Sequence, residues 1–152
     1  MEKMPSEVQE FSVEDFFPAP PEVEAIVRYL MMAYFPHLSF LRIILLMRKT
    51  VIERGEGQIT VAATGVSQDP EKDGFDCVFW FAADVWPLLN PMEKEAMVFH
   101  ELKHCDHDNH GHGMMRPHDA AVFTQEVNIY GAWWDRPSEA IKESRGRTQD
   151  AK

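Results

Sequence analysis

One segment of the chain combines residue types at a spacing that suits hydrolytic chemistry: His100-Glu101-Leu102-Lys103-His104. On a helix, two histidines four residues apart point the same way, about 40° apart around the axis. Both imidazoles can then bind one tetrahedral zinc ion, Zn2+. Glu101 lies one residue on, where its carboxylate can accept a proton from a zinc-activated water. The pattern predicts a zinc-dependent hydrolase, with His100 and His104 as metal ligands and Glu101 as general base.

Spacing alone leaves the third metal ligand open. His110 would give a spacing that resembles the metzincin pattern, although His107 stands where that pattern has a glycine. His118 lies at the start of the next predicted helix, and a helix holds a ligand more rigidly than a loop does. Glu126 lies further along the same helix, about 80° around its axis from His118, so those two are not expected to bind together.

Further residues around the motif carry a family resemblance. They are Ala82-Ala83-Asp84-Val85-Trp86-Pro87-Leu88-Leu89, His100-Glu101-Leu102-Lys103-His104-Cys105, Arg116-Pro117-His118-Asp119, Phe123, Glu126-Val127 and Tyr130-Gly131. With them, residues 75–134 resemble the putative phage metallopeptidase family, a group related in pattern to SprT-like zinc peptidases. The resemblance implies a phage or prophage zinc metallopeptidase of the zincin type, acting on a protein or peptide substrate. It also implies that His118, from the His-Asp pair, completes the metal site.

Hydrophobic spacing predicts the elements that must position these residues. Pro21–Phe35 is expected to form an N-terminal helix, with Pro21 at its first turn and Pro36 ending it. Three apolar or β-branched runs, 40–51, 58–65 and 75–81, are expected to be strands. The fold class is therefore α+β: a small zincin-like domain with a short three-stranded sheet packed on the N-terminal helix and the motif helix.

Capping signals place the motif on a helix of its own. Asn90 is a favoured N-cap, Pro91 suits the first helical position, and Glu93 stands where a capping box needs it. This helix is expected to stop near Cys105. A C-terminal helix is predicted to begin at Pro117 and to end near Gly131.

Composition divides the chain and limits its partners. Residues 1–20 are predicted to be an acidic N-terminal arm, 21–134 the metallopeptidase domain, and 135–152 a polar, flexible tail. The formal net charge of −10 argues against nucleic-acid binding, including a peptidase that acts at DNA. We expect no membrane span and no signal peptide, and two unpaired cysteines, Cys77 and Cys105, so the predicted location is cytoplasmic, in the host cell if phage-encoded.

Peptidases of this resemblance bind extended substrate along an edge strand of the sheet. Phe75–Phe81 is the candidate for that strand, and an ordinary core strand is the alternative.

The alternative function is a non-enzymatic, zinc-stabilised binding protein whose acidic surface engages a host factor. A fourth protein ligand, from Cys105 or His110, would favour it, because structural zinc sites are closed and catalytic ones keep a water position.

Overall fold

A mixed four-stranded sheet forms the centre of the fold. The structure is a computed structural model that describes residues 13–56, 58–107, 113–115 and 124–150. The strand order is β1 (Phe16–Pro18), β2 (Ile43–Arg48), β6 (Cys77–Ala82) and β5 (Ala62–Val66), with only the β2–β6 pair parallel. The three predicted strands therefore share one sheet, and the short β1 extends it at the β2 side. The predicted α+β fold is confirmed.

Two short hairpins lie outside this sheet. Strands β3 (Ile52–Gly55) and β4 (Gln58–Thr60) pair antiparallel, and so do β7 (Cys105–His107) and β8 (Gly113–Met115). A single helical turn, α2 (Pro70–Asp73), precedes β6. The predicted strand 58–65 is thus divided in two: β4 belongs to a hairpin and β5 to the sheet.

Two helices and strand β6 supply much of the apolar core. Helix α1 (Pro21–Tyr34) buries Val23, Val27 and Leu30, three of the five apolar positions at helical spacing, and the other two, Ile26 and Met31, are partly buried against the core. Helix α3 (Pro91–His104) carries the motif and packs against α1. The ring of Phe99 on α3 lies 5.1 Å from that of Phe35 at the end of α1. Strand β6 is buried along almost its whole length, as its apolar run predicts.

The capping box that the sequence predicts holds the start of α3. The Asn90 side chain accepts a hydrogen bond from the Glu93 backbone N–H at 2.9 Å, and Glu93 Oε1 accepts one from the Asn90 N–H at 2.8 Å. Arg136 Nε also donates to Glu93 Oε2 at 2.7 Å. These bonds satisfy backbone donors that a helix start otherwise leaves unpaired, and so fix where α3 begins.

The C-terminal part of the chain differs from the prediction. After α4 (Thr124–Tyr130), residues predicted to be a polar tail form a long helix, α5 (Asp135–Asp150). Ile141 is only 4% exposed on it, and Arg145 pairs with Glu53 of β3. The buried Ile141 and the contacts of Arg136 and Arg145 attach this helix to the body. The division into arm, domain and tail stays a prediction.

Candidate metal centre

Helix α3 brings the two motif histidines onto one face. The ring centroids of His100 and His104 lie 4.9 Å apart, and the ring planes are inclined at 78°. This is the neighbour relation that a four-residue helical spacing dictates. Glu101 follows His100 directly and is 4% exposed. The three residues that the motif nominates are therefore grouped at one place.

A carboxylate from another helix contacts the His100 ring. Glu126 on α4 is 1% exposed, and its Oε1 lies 2.6 Å from His100 Nδ1. When the Glu126 carboxylate is ionised it can only accept, and Nδ1 is then the donor of this hydrogen bond. Burial lowers the pKa of His100, but the Glu126 hydrogen bond and the charges of Glu101 and Glu126 outweigh it, so the pKa lies above its ordinary value.

The second oxygen of Glu126 is also bound. Trp133 Nε1–H donates to Glu126 Oε2 at 2.7 Å. Gly131, with φ +65°, ends α4 as predicted and lets the chain turn so that Trp133 returns to the carboxylate. Glu126, one of the alternative third ligands, thus uses its two oxygens to hold an imidazole and an indole. Such a partner fixes the tautomer and orientation of a ligating histidine.

The Glu101 carboxylate is buried against the sheet. Thr64 of β5 donates a hydrogen bond from Oγ1 to Glu101 Oε1 at 2.7 Å. Burial raises the pKa of Glu101; the charge of His100 and the Thr64 hydrogen bond lower it, and the charge of Glu126 raises it, leaving the pKa above its ordinary value. A carboxylate with a raised pKa is better suited to accept a proton and return it near neutral pH.

A cavity of about 740 Å³ opens beside these residues. Its walls include His100, Glu101 and Glu126 and the two indole side chains Trp133 and Trp134. The segment from β4 into β5 forms the opposite wall. Concave sites of this size, with few polar groups among apolar ones, are typical of ligand-binding pockets.

The candidate substrate strand is not at an edge of the sheet. Strand β6, which contains most of the candidate 75–81, pairs with β2 on one side and β5 on the other. It is a central core strand, so of the two alternatives for this run the ordinary core strand is the one found. Strand β5 lies at the end of the sheet order instead, and its Thr64 contacts Glu101. The apolar run 75–81 predicts a buried strand, but it does not indicate whether that strand lies in the centre or at the edge of the sheet.

Other candidate residues lie away from the group. Tyr130, one of the residues that carry the family resemblance, donates its hydroxyl to Glu95 at 2.7 Å and packs on Phe99, so it belongs to the core. Cys105 is buried, and its hydrogen bond with Cys77, together with burial, raises the pKa of its thiol. The predicted ligand His118 and the alternative His110 lie outside the described residues, as do His112, Arg116 and Asp119.

Sequence reasoning did not find Thr64 as a site residue, and it took Trp133 as a packing residue, with a position in the wall of the cleft as the alternative. Thr64 reads as one more residue of a strand, and Trp133 as a packing residue after a helix end. Both meet the motif only through the tertiary structure.

Comparison with known families gives a decisive match. The family described as putative phage metallopeptidase matches residues 14–143, most of the chain. The chain belongs to this family. No curated protein and no solved structure matches it. Membership in a metallopeptidase family implies a metal cofactor and a protein or peptide substrate. Among the residues described, no helix has the length and apolar character needed to cross a membrane.

The donor set fits a metal ion of this family. Two imidazoles share one helix face, and Glu126 contacts the first of them through its Nδ1. Imidazole nitrogens suit zinc and several other transition metals. Within the described ranges, no group of three His, Cys, Asp or Glu residues is arranged to hold an ion.

Proposed function

We propose that the chain is a zinc-dependent peptidase of the HExxH type, in which His100, His104 and His118 hold the metal and Glu101 is the general base. One observation carries the proposal: the imidazoles of His100 and His104 are neighbours beside the buried carboxylate of Glu101. Glu126 contacts Nδ1 of the His100 ring. His118 is taken from the family resemblance. The match over residues 14–143 supports a metallopeptidase.

Zinc, when bound, supplies a water whose pKa is lowered to about 7 and polarises the carbonyl of the scissile peptide. Glu101 takes the proton from that water at a carboxylate oxygen and then donates it to the leaving amine. Thr64 keeps the Glu101 carboxylate in one orientation. Glu126 does the same for the His100 ring, and Trp133 for Glu126.

The edge of the sheet offers a place for an extended substrate. Strand β5 ends the sheet order and lies against α3, the helix that carries the motif. Main-chain hydrogen bonds to an edge strand bind a peptide without regard to its sequence. We propose that the substrate backbone aligns along β5, which brings a peptide bond close to Glu101.

The non-enzymatic alternative has less support. It needs a closed zinc site with four protein ligands. Cys105, one of the two candidates for the fourth, is buried and hydrogen-bonded with Cys77, and its raised pKa disfavours the thiolate that binds zinc. Both cysteines are free thiols, which supports a reducing compartment such as the host cytoplasm.

The test measures zinc and cleavage together. Full-length protein should hold about one zinc per chain and cleave an unstructured protein such as casein. Glu101→Gln should keep the zinc and lose at least about 100-fold in kcat/KM, because the proton acceptor is removed. His104→Gln should lose both zinc and activity.

His37→Gln is the matched control, since His37 is exposed and lies before β2, outside the motif. It should change neither quantity. Full cleavage by Glu101→Gln would overturn the role of Glu101. Zinc-free protein after careful preparation would overturn the metal site.

A further inference from the structure

The cavity beside the motif is apolar over most of its wall. Besides the site residues, its lining includes Ile59, Val61, Met97, Val127, Trp133 and Trp134. These side chains come from three separate parts of the chain: the β4–β5 segment, α3, and the stretch around Gly131. The family match says nothing of such a pocket.

The main polar groups that border the cavity already have partners. Both Glu126 oxygens accept hydrogen bonds, from His100 and Trp133, and Glu101 Oε1 accepts one from Thr64. A ligand group inside the cavity therefore meets indole and aliphatic surface. An acidic group would in addition face two buried carboxylates, which repel it.

The volume and position indicate what the cavity holds. At about 740 Å³ it exceeds a single aromatic side chain and leaves room for adjoining backbone. Since Glu101 and His100 form part of its wall, an occupant lies next to the reacting groups. The cavity is thus continuous with the proposed catalytic site and is placed to receive a substrate residue beside the bond to be cut.

We propose that this cavity is a specificity pocket that selects a large apolar side chain, aromatic or long aliphatic, at one of the two residues flanking the scissile bond. The inference rests on the proposed peptidase function and deepens it by naming the substrate class. The affinity of an apolar pocket for a side chain rises with each methylene that is buried. A small side chain leaves the pocket unfilled, and an acidic side chain is repelled by the two carboxylates.

The first experiment reads the preference directly. A library of acetylated decapeptides with randomised central positions is incubated with zinc-loaded full-length protein, and cleavage sites are read by mass spectrometry. Phe, Trp, Leu and Met should exceed Ala and Asp at one flanking position by at least about 10-fold. Cleavage with no such preference overturns the pocket and leaves the peptidase function intact.

A filling variant tests the location of the pocket. Val61→Phe should shift the preference towards small side chains, with cleavage of Ala-containing peptides retained. Val13→Phe is the matched control, because Val13 is 85% exposed and outside the cavity lining, and it should leave the preference unchanged. Ala132→Leu fills the cavity from the turn after α4 and serves if Val61→Phe does not fold. An unchanged preference in a folded filling variant overturns the inference.

A binding measurement separates the pocket from catalysis. N-acetyl-phenylalaninamide, added to the Glu101→Gln protein, should shift the indole N–H resonances of Trp133 and Trp134, and N-acetyl-alaninamide should not. If no peptide is cleaved but these shifts appear, the peptidase function fails and the apolar pocket stands. Equal shifts with both amides, or dimerisation that Val61→Phe abolishes without a change in preference, would overturn the assignment to a substrate side chain.

Discussion

Glu126 and His100 lie on different helices, 26 residues apart in the sequence, and their side chains meet at 2.6 Å between Oε1 and Nδ1. The contact is almost fully enclosed, since Glu126 is 1% exposed. A ligating imidazole is held in this way in many metal sites, where the carboxylate sets the tautomer and raises the basicity of the other nitrogen. The pair joins α4 to the motif helix, so the position of the His100 ring, a ligand of the proposed metal site, depends on both helices.

Replacing Glu126 should weaken metal binding without removing a ligand. We expect Glu126→Gln to lower the zinc affinity by about 10- to 100-fold, because the neutral amide no longer holds the His100 ring with a charge. Trp133→Phe should cause a smaller loss in the same direction, since it frees the far oxygen of the carboxylate. Competition with a chromophoric chelator measures both.

Glu139→Gln is the control for Glu126→Gln, because Glu139 is exposed on α5. The Glu139→Gln variant should bind zinc with the same affinity as the unaltered chain. If Glu126→Gln also binds zinc with that affinity, the Glu126 carboxylate does not position the His100 ligand.

Thr64 should matter for turnover and not for the metal. Thr64→Val keeps the shape of the side chain but removes the hydrogen bond to the Glu101 carboxylate. A hydrogen bond to a charged group contributes about 1.5–3 kcal/mol, so kcat/KM should fall roughly 10-fold or more. Thr64→Ser, which keeps a hydroxyl, should recover part of the loss. Zinc content measured alongside should stay constant; a parallel loss of zinc would mean that Thr64 supports the metal site instead.

The motif helix could be predicted in detail because its signals are local. The Asn90–Glu93 capping box and the four-residue histidine spacing each depend on the geometry of one helix, and the structure has both. The contacts that complete the site are not local. Thr64 lies 37 residues from Glu101 and reaches it only because β5 packs against α3. No periodicity in one segment carries that information.

Helix α5 escaped prediction for a different physical reason. Its sequence, from Asp135, is almost entirely polar, so it lacks the apolar stripe by which a packed helix is recognised. Its attachment rests on Ile141 and on arginine contacts to Glu93 and Glu53, which belong to other elements. Strand β1 is similar: it has three residues, and its pairing with β2 is a long-range contact.

The Glu93 contacts make stability depend on pH. The hydrogen bond from Arg136, against the effect of burial and with help from the Asn90 backbone, lowers the pKa of Glu93 below 4.5. The folded state therefore gains from ionised Glu93 above pH 4.5, and this gain is lost as the pH falls through the lowered pKa. Glu93→Gln keeps the capping box but removes the charge that faces Arg136, so it should cost about 1 kcal/mol at neutral pH.

Urea unfolding at neutral pH and at about pH 3 checks this prediction. The difference between Glu93→Gln and the unaltered chain should shrink as the pH falls below 4.5 towards the lowered pKa of Glu93 in the folded state. A difference of the same size at both values would mean that the charge of Glu93 contributes nothing.

Ile141 should reveal whether α5 is part of the folded body. It is 4% exposed on a helix that otherwise presents polar residues, so Ile141→Ala removes a buried side chain and should cost about 2–4 kcal/mol in urea unfolding. Lys142→Ala, one position on, is the control, because that side chain is 73% exposed and should change stability by about 0.5 kcal/mol or less. If the two substitutions have equal, small effects on stability, α5 does not pack on the core, and the prediction of a flexible tail holds. A large effect of Ile141→Ala alone would instead make residues beyond 134 necessary for the stability of the domain.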